Sequence, residues 1–168
     1  MANKIASLHQ LLDHDMARFY SGEIALGKVM NEWIEVARAP KLKQVLQRYA
    51  GFVQEHIIRL DEFITSEKIP VIDLSNKVME ALIGEVREQL SSCADAEVKD
   101  ACLLSCIQRI NHFKISGYGT AAAFANTLEM RKQATIFHQS EVNEKQIDDR
   151  LSQLAEFDIN LKAKTAIV

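Results

Sequence analysis

The sequence predicts an all-α protein: four long helices packed as one bundle, with a short extra helix between the second and third. Three observations predict it. The 168 residues include only two prolines and six glycines, whereas a β-sandwich or barrel needs a turn every 8–12 residues and draws on such residues to make them. Apolar residues recur at alternating spacings of three and four over long stretches, the signature of one helix face. The breaks in that pattern coincide with Pro40, Pro70 and the Ser91–Ala96 segment.

The first helix spans about Lys4 to Ala37, with Ile5, Leu8, Leu12, Met16, Phe19, Leu26, Met30 and Trp33 on one stripe. Asn3 offers an N-cap. Pro40 closes the pattern, because the residue before a proline is pushed out of the helical region. The second helix runs from near Lys41 to near Glu67, with Leu42, Val45, Tyr49, Val53, His56, Leu60 and Phe63 on its stripe. The short Ala39-Pro40 connection makes these two helices antiparallel neighbours. A loop from Ser66 to Leu74 follows. Asp73 or Ser75 can cap a short helix from about Asn76 to Leu90. The third long helix extends from about Ala96 to Asn126, with Val98, Ala101, Leu104, Ile115, Ala122 and Phe124 apolar. The fourth begins at Met130 or Ala134 and reaches about Phe157, with Phe137, Ile147, Leu151 and Leu154 on one side. Residues 158–168 form a tail that frays or docks. The long link between the second and third long helices must cross the length of the bundle if all four are to pack in antiparallel pairs.

No internal repeat or domain boundary is visible, so residues 1–168 read as one domain. Hydrophobic residues make up 48% and charged residues 26%, which is the composition of a globular chain rather than a disordered one. The net charge of −3 leaves no basic footprint for nucleic acid. No apolar run approaches a membrane span, and no apolar core of a signal peptide follows Met1. The three cysteines, Cys93, Cys102 and Cys106, cannot all pair within one chain, so the expectation is reduced thiols and a cytoplasmic location. Cys102 and Cys106, four apart on one helix, read as structural cysteines, with a metal or redox pair as the alternative. His14, between Asp13 and Asp15, could hold a divalent ion weakly.

Polar residues interrupt the apolar stripes near the middle of every long helix. They are Glu23 in the first, His56 (with Glu55 beside it) in the second, Asn111 and His112 in the third, and Glu144 in the fourth. The middles of antiparallel helices meet at one level, and a buried carboxylate is expensive unless paired or metal-bound. A polar layer is therefore expected, joined by Lys114 and by the hydroxyls of Tyr49 and Tyr118. Di-iron and di-manganese carboxylate bundles carry a Glu from each of two helices and Glu-x-x-His from each of the others. No Glu-x-x-His occurs here; His138-Gln139-Ser140-Glu141 is reversed.

The order and spacing of several segments resemble the YciE/YciF family of ferritin-like proteins from about Leu8 to about Leu154. They are Phe19-Tyr20-Ser21-Gly22-Glu23, Ala39-Pro40-Lys41-Leu42 and Arg59-Leu60-Asp61-Glu62-Phe63. Met79-Glu80-Ala81-Leu82-Ile83-Gly84-Glu85, Asp100-Ala101, His112 through Gly119, and Glu144 with Asp148 and Leu151 complete the set. The resemblance implies a ferritin-like four-helix bundle, usually dimeric and associated with bacterial stress responses, with no established reaction. Many members carry a pattern like Glu-His-x-Glu in the third long helix, where this chain has Asn111-His112-Phe113-Lys114. It also has Tyr49 where the family usually has a histidine. Two carboxylates are thus replaced by an amide and an ammonium, and Lys114 can substitute for metal charge by pairing with Glu23 or Glu144.

Three functional expectations follow. The first is a non-enzymatic, cytoplasmic, stress-associated homodimer with a degenerate metal site and no cofactor. The second is an iron- or manganese-binding oxidoreductase or iron-handling protein whose ligands are Glu23, His56, His112 and Glu144, extended by Glu55 or Glu141. The third is an interaction module that binds a partner through its helix faces or apolar tail.

Overall fold

A computed structural model describes residues 4–70 and 74–165. Among the described residues six α-helices run in chain order: α1 (Leu8–Val36), α2 (Pro40–Glu67), α3 (Lys77–Ser92), α4 (Ala96–Thr127), α5 (Arg131–Leu154) and α6 (Asn160–Lys164), with a π-helical turn at Ala155–Ile159 joining the last two. No strand occurs among the described residues.

Local chemistry sets each boundary. α1 starts at Leu8, one turn later than the stripe suggests, because the Ser7 hydroxyl accepts from the Gln10 amide and caps the first turn. Asn3 lies outside the described residues, and Ile5 stands 45% exposed ahead of the helix. Pro40 is the first residue of α2, where its missing N–H costs nothing. The cap of α3 is Asn76, which accepts from Met79 N at 3.0 Å. Ser75 does not fill that role, and Asp73 lies outside the described residues. Asp95 caps α4 through the Glu97 and Val98 amides. The tail expected to fray or dock from Asp158 continues helically to Lys164, and Ile159 is buried. The last three residues, 166–168, lie outside the described residues.

α1 packs on α2, α4 on α5, α2 on α5 and α1 on α4, closing a four-helix ring. Cross-helix pairs give the directions. Tyr20 meets Asp61 and Tyr118 meets Glu23, while Phe63 meets Phe137 and Gln108 meets Asp148, so every adjacent pair is antiparallel. α2 and α4 therefore run the same way. α3 supplies the return crossing and packs against α4 and α1. Asn76 fixes where it lands, with its side chain pressed against Gly22 of α1.

The burial of α4 departs from the sequence reading. Its buried face carries Leu103, Leu104, Ile107, Ile110, Asn111, Lys114 and Tyr118, whereas Ala101, Ile115 and Phe124 are only half-buried. The helix touches α1, α3, α5 and α6, so it has no single apolar stripe for periodicity to reveal. Gly117 is needed where α4 meets α1, because a Cβ there would collide with the Phe19 ring. Two apolar clusters fill the bundle, one around Trp33, Leu46 and Ile107, the other around Leu12, Phe63 and Phe137. A polar layer divides them.

Candidate functional site

Eight polar side chains meet between the two apolar clusters. α1 supplies Glu23, α2 supplies Tyr49 and His56, α4 supplies Asn111, Lys114 and Tyr118, and α5 supplies Asn143 and Glu144; all are buried. The spacings place them on common faces: Tyr49 and His56 are two turns apart, and so are Asn111 and Tyr118, with Lys114 between. Glu23, His56, Asn111, Lys114 and Glu144 have no exposed surface.

Lys114 is the centre. Its Nζ lies 2.6 Å from Glu144 Oε1 and 3.1 Å from Glu23 Oε2, and 4.7 Å from the centroid of the Tyr49 ring, within cation–π range. The outer oxygens of the carboxylates are held by neutral donors. The Tyr49 hydroxyl donates to Glu144 Oε2 at 2.8 Å, and Asn111 Nδ2 donates to the same oxygen at 2.7 Å. Asn111 also donates to the Glu144 carbonyl at 2.9 Å. The Tyr118 hydroxyl donates to Glu23 Oε1 at 2.6 Å. His56 Nδ1 faces both carboxylates, 3.3 Å from Glu144 Oε1 and 3.5 Å from Glu23 Oε1. Its Nε2 is 3.4 Å from Asn143 Nδ2.

Lys114 Nζ, Glu144 Oε1, Glu23 Oε2 and His56 Nδ1 form no directional hydrogen bond among the described residues. Lys114 Nζ meets the two carboxylate oxygens as a charge, and the directional bonds belong to the tyrosines and asparagines. Burial pushes the Glu23 carboxyl up, but the Lys114 charge, His56 and the Tyr118 hydroxyl outweigh it and hold Glu23 below its ordinary value. Burial pulls Lys114 down, but Glu144 and Glu23 together raise it above the ordinary ammonium value. Both groups are therefore charged at neutral pH. Burial and the adjacent carboxylates hold Tyr49 and Tyr118 protonated, well above their usual range. Two carboxylates against one ammonium leave one negative charge. With Asn143 Nδ2 donating, His56 Nε2 accepts and Nδ1–H faces the carboxylates.

One ligand atom each from Glu23, His56 and Glu144 falls within 4.8 Å of the others, which is chelating distance. The donor set nonetheless does not fit a hard di-metal centre. Such centres need several anionic oxygens, and here the one cation-accepting space between the carboxylates holds Lys114 Nζ. Both remaining carboxylate oxygens already accept from tyrosine or asparagine.

The other residues expected at the site lie elsewhere. His112 is on the opposite side of α4 from the cage, 64% exposed, with Nε2 2.9 Å from Asp148 Oδ1; it is not a partner of Glu23, His56 and Glu144. Glu55 is exposed and pairs with Arg59 at 3.3 Å. Glu141 pairs with Lys145 at 2.6 Å and with His138 at 3.3 Å. Asn143 is the member that sequence reading misses. It neighbours Glu144 in sequence and looks like an ordinary surface amide, and only the α2–α5 packing buries it against His56. Cys102 and Cys106 lie beside the Gln89 side chain of α3. Burial and the neighbouring thiols push Cys102 up to about 12, which leaves it a thiol rather than a thiolate.

Among the described residues no helix is long and apolar enough to cross a membrane. The sequence is 29% identical to Protein YciF of Escherichia coli strain K12 over 159 residues, covering 94% of this chain and 96% of that one. The fold matches the crystal structure of the E. coli stress protein YciF with a TM-score of 0.86 at 27% identity, covering 93% of this chain and 99% of the other. It matches YcfI from Rhodopseudomonas palustris with a TM-score of 0.85 at 26% identity, covering 90% of this chain and 97% of that chain. The profile of the family described as "Domain of unknown function (DUF892)" matches residues 7–164, and the chain belongs to that family.

Proposed function

We propose that this chain is a non-enzymatic, ferritin-like bundle protein of the bacterial stress response, in which a lysine stands where related carboxylate bundles hold metal. The observation that carries this reading is Lys114 Nζ at 2.6 and 3.1 Å from the two central carboxylates in a fully buried cage. A metal dication there would have to share the space with an ammonium or expel it, and expelling it means stripping Lys114 of both its counter-charges. The relation to a protein described as a stress protein supports the physiological setting. The protein works as a cytoplasmic homodimer in this reading. The exposed Phe157 and Leu161, one turn apart at the carboxyl end, support contact with a second chain.

The test is metal analysis by mass spectrometry on tag-free protein produced with iron and manganese supplied in excess. The expected result is far less than one equivalent of either metal per chain. Stoichiometric iron or manganese, lost on Glu23→Gln, would refute the proposal and establish the iron- or manganese-binding reading. The assembly is checked separately by light scattering: a monomer at all concentrations would remove the dimer and leave the cage untouched.

A further inference from the structure

A second cluster of metal-ligating side chains lies far from the cage, at the end of the bundle where α1 begins and α2 ends. His9 and Asp13, one turn apart on α1, face Glu67, the last residue of α2. His9 Nδ1 is 3.4 Å from Asp13 Oδ2, and His9 Nε2 is 3.5 Å from Glu67 Oε2. One ligand atom from each residue falls within 4.8 Å of the others. The ligands of a tetrahedral zinc ion, bound at about 2.0–2.1 Å, stand roughly 3.3 Å apart, so the cluster must draw in from its 4.8 Å limit to take the ion. The imidazole now spans the carboxylates with opposite nitrogens. A single ion needs only a side-chain rotation of the 46%-exposed His9 or of Glu67.

An independent observation makes this more than three neighbouring polar groups. Asp13 Oδ1 is buried and has no hydrogen-bond donor among the described residues. The carboxylate keeps 21% of its side-chain surface and faces His9 through Oδ2, but Oδ1 has lost its hydration without gaining a donor, and a cation on the same carboxylate would offset that loss. An imidazole among the ligands selects borderline transition dications over magnesium and calcium.

We propose that His9, Asp13 and Glu67 form a three-ligand site for a zinc-type dication that ties the first turns of α1 to the last turn of α2. Three protein ligands leave one coordination position open. Asp13 and Glu67 also line a groove of about 540 Å³, bordered by Lys4, His14 and Lys68, and the open position is available to water or to an anionic group entering there.

The test titrates tag-free, full-length protein with Zn2+ in a calorimeter and with Co2+ in a spectrophotometer. The expected result is one equivalent of Zn2+, with Co2+ giving the intense visible bands of a four- or five-coordinate site. His9→Ala and Glu67→Gln each weaken binding by at least tenfold, and saturating Zn2+ raises the Tm of the native chain but not of these variants. All three residues retain exposed surface, so the variants are expected to keep the native circular dichroism; His14→Ala, which also borders the groove, binds as the native chain does. Failure to bind Zn2+ overturns the proposal, and so does binding that survives both His9→Ala and Glu67→Gln. Loss of the bound ion on Glu23→Gln but not on His9→Ala would place the ion in the central cage, and would count against both this site and the metal-free reading of the cage.

Discussion

Replacing Lys114 with methionine removes the central cation and nearly preserves side-chain volume. At an effective dielectric of about 20, contacts of 2.6 and 3.1 Å correspond to roughly 6 and 5 kcal/mol of attraction. Much of that offsets the cost of burying the lysine, which the variant no longer bears. What remains is two uncompensated buried carboxylates, and breaking a buried pair in this way costs about 3–5 kcal/mol. For a chain of this size 1 kcal/mol moves Tm by roughly 2–4 °C, so Lys114→Met lowers Tm by about 6–20 °C at pH 7. The sign of the pH dependence reverses with the mutation. In the native chain Glu23 is held below its ordinary value. Its contribution is complete above the unfolded carboxylate value of about 4.3 and is lost as pH falls through the lower folded value. In the variant the folded state favours protonated carboxyls, so it binds more protons than the unfolded chain and gains stability as pH falls from about 8 to about 5. The assay is urea unfolding followed by circular dichroism at both pH values, with Lys114→Met/Glu144→Gln recovering part of the loss. A Lys114→Met variant within about 1 kcal/mol of the native chain at pH 7 would refute the buried ion-pair account.

The remaining predictions probe the cage, a turn and a thiol. Asn111→Glu with Lys114→Glu surrounds His56 with four glutamates and creates a carboxylate cage, so the double variant acquires iron or manganese in metal analysis while Asn111→Glu alone does not. Asp100 accepts from the Arg38 amide at 2.8 Å and from the Ala39 amide at 2.7 Å, pinning the α1–α2 turn to the start of α4. Asp100→Ala leaves a buried N–H unmet and costs about 1–3 kcal/mol in urea unfolding. Cys102, pushed up to about 12, reacts with iodoacetamide at pH 8 at least roughly 30-fold more slowly than a free thiol, the scarcity of thiolate outweighing its greater nucleophilicity. Peptide mass mapping over time reads this directly.

Much of the helical organisation is legible along the chain. The scarcity of breakers, the spacing of Leu12, Met16, Phe19, Leu26, Met30 and Trp33, and the placement of Pro40 are local facts, and helices obey local rules. Glu23, His56 and Glu144 stand out for the same reason, as polar residues interrupting apolar stripes. α4 resists this reading because it is buried on several sides. His112, expected as a ligand, and Lys114, expected as the neutralising cation, stand two positions apart and face different ways. The caps at Ser7 and Asn76 are visible only as residue types, since many serines and asparagines could serve.

The sequence by itself determined the all-α class, the antiparallel pairing of α1 with α2 across Ala39-Pro40, and the presence of buried charge at mid-helix. These follow from backbone propensity and periodicity, which act over a few residues. Only the tertiary structure decided which charges meet. It turned Lys114 inward between Glu23 and Glu144, turned His112 outward to Asp148, and buried Asn143 behind His56. It also brought His9 and Asp13 of α1 against Glu67 of α2. Those contacts depend on the rotation of each helix about its own axis, which is set by how four packed surfaces interlock rather than by any one stripe.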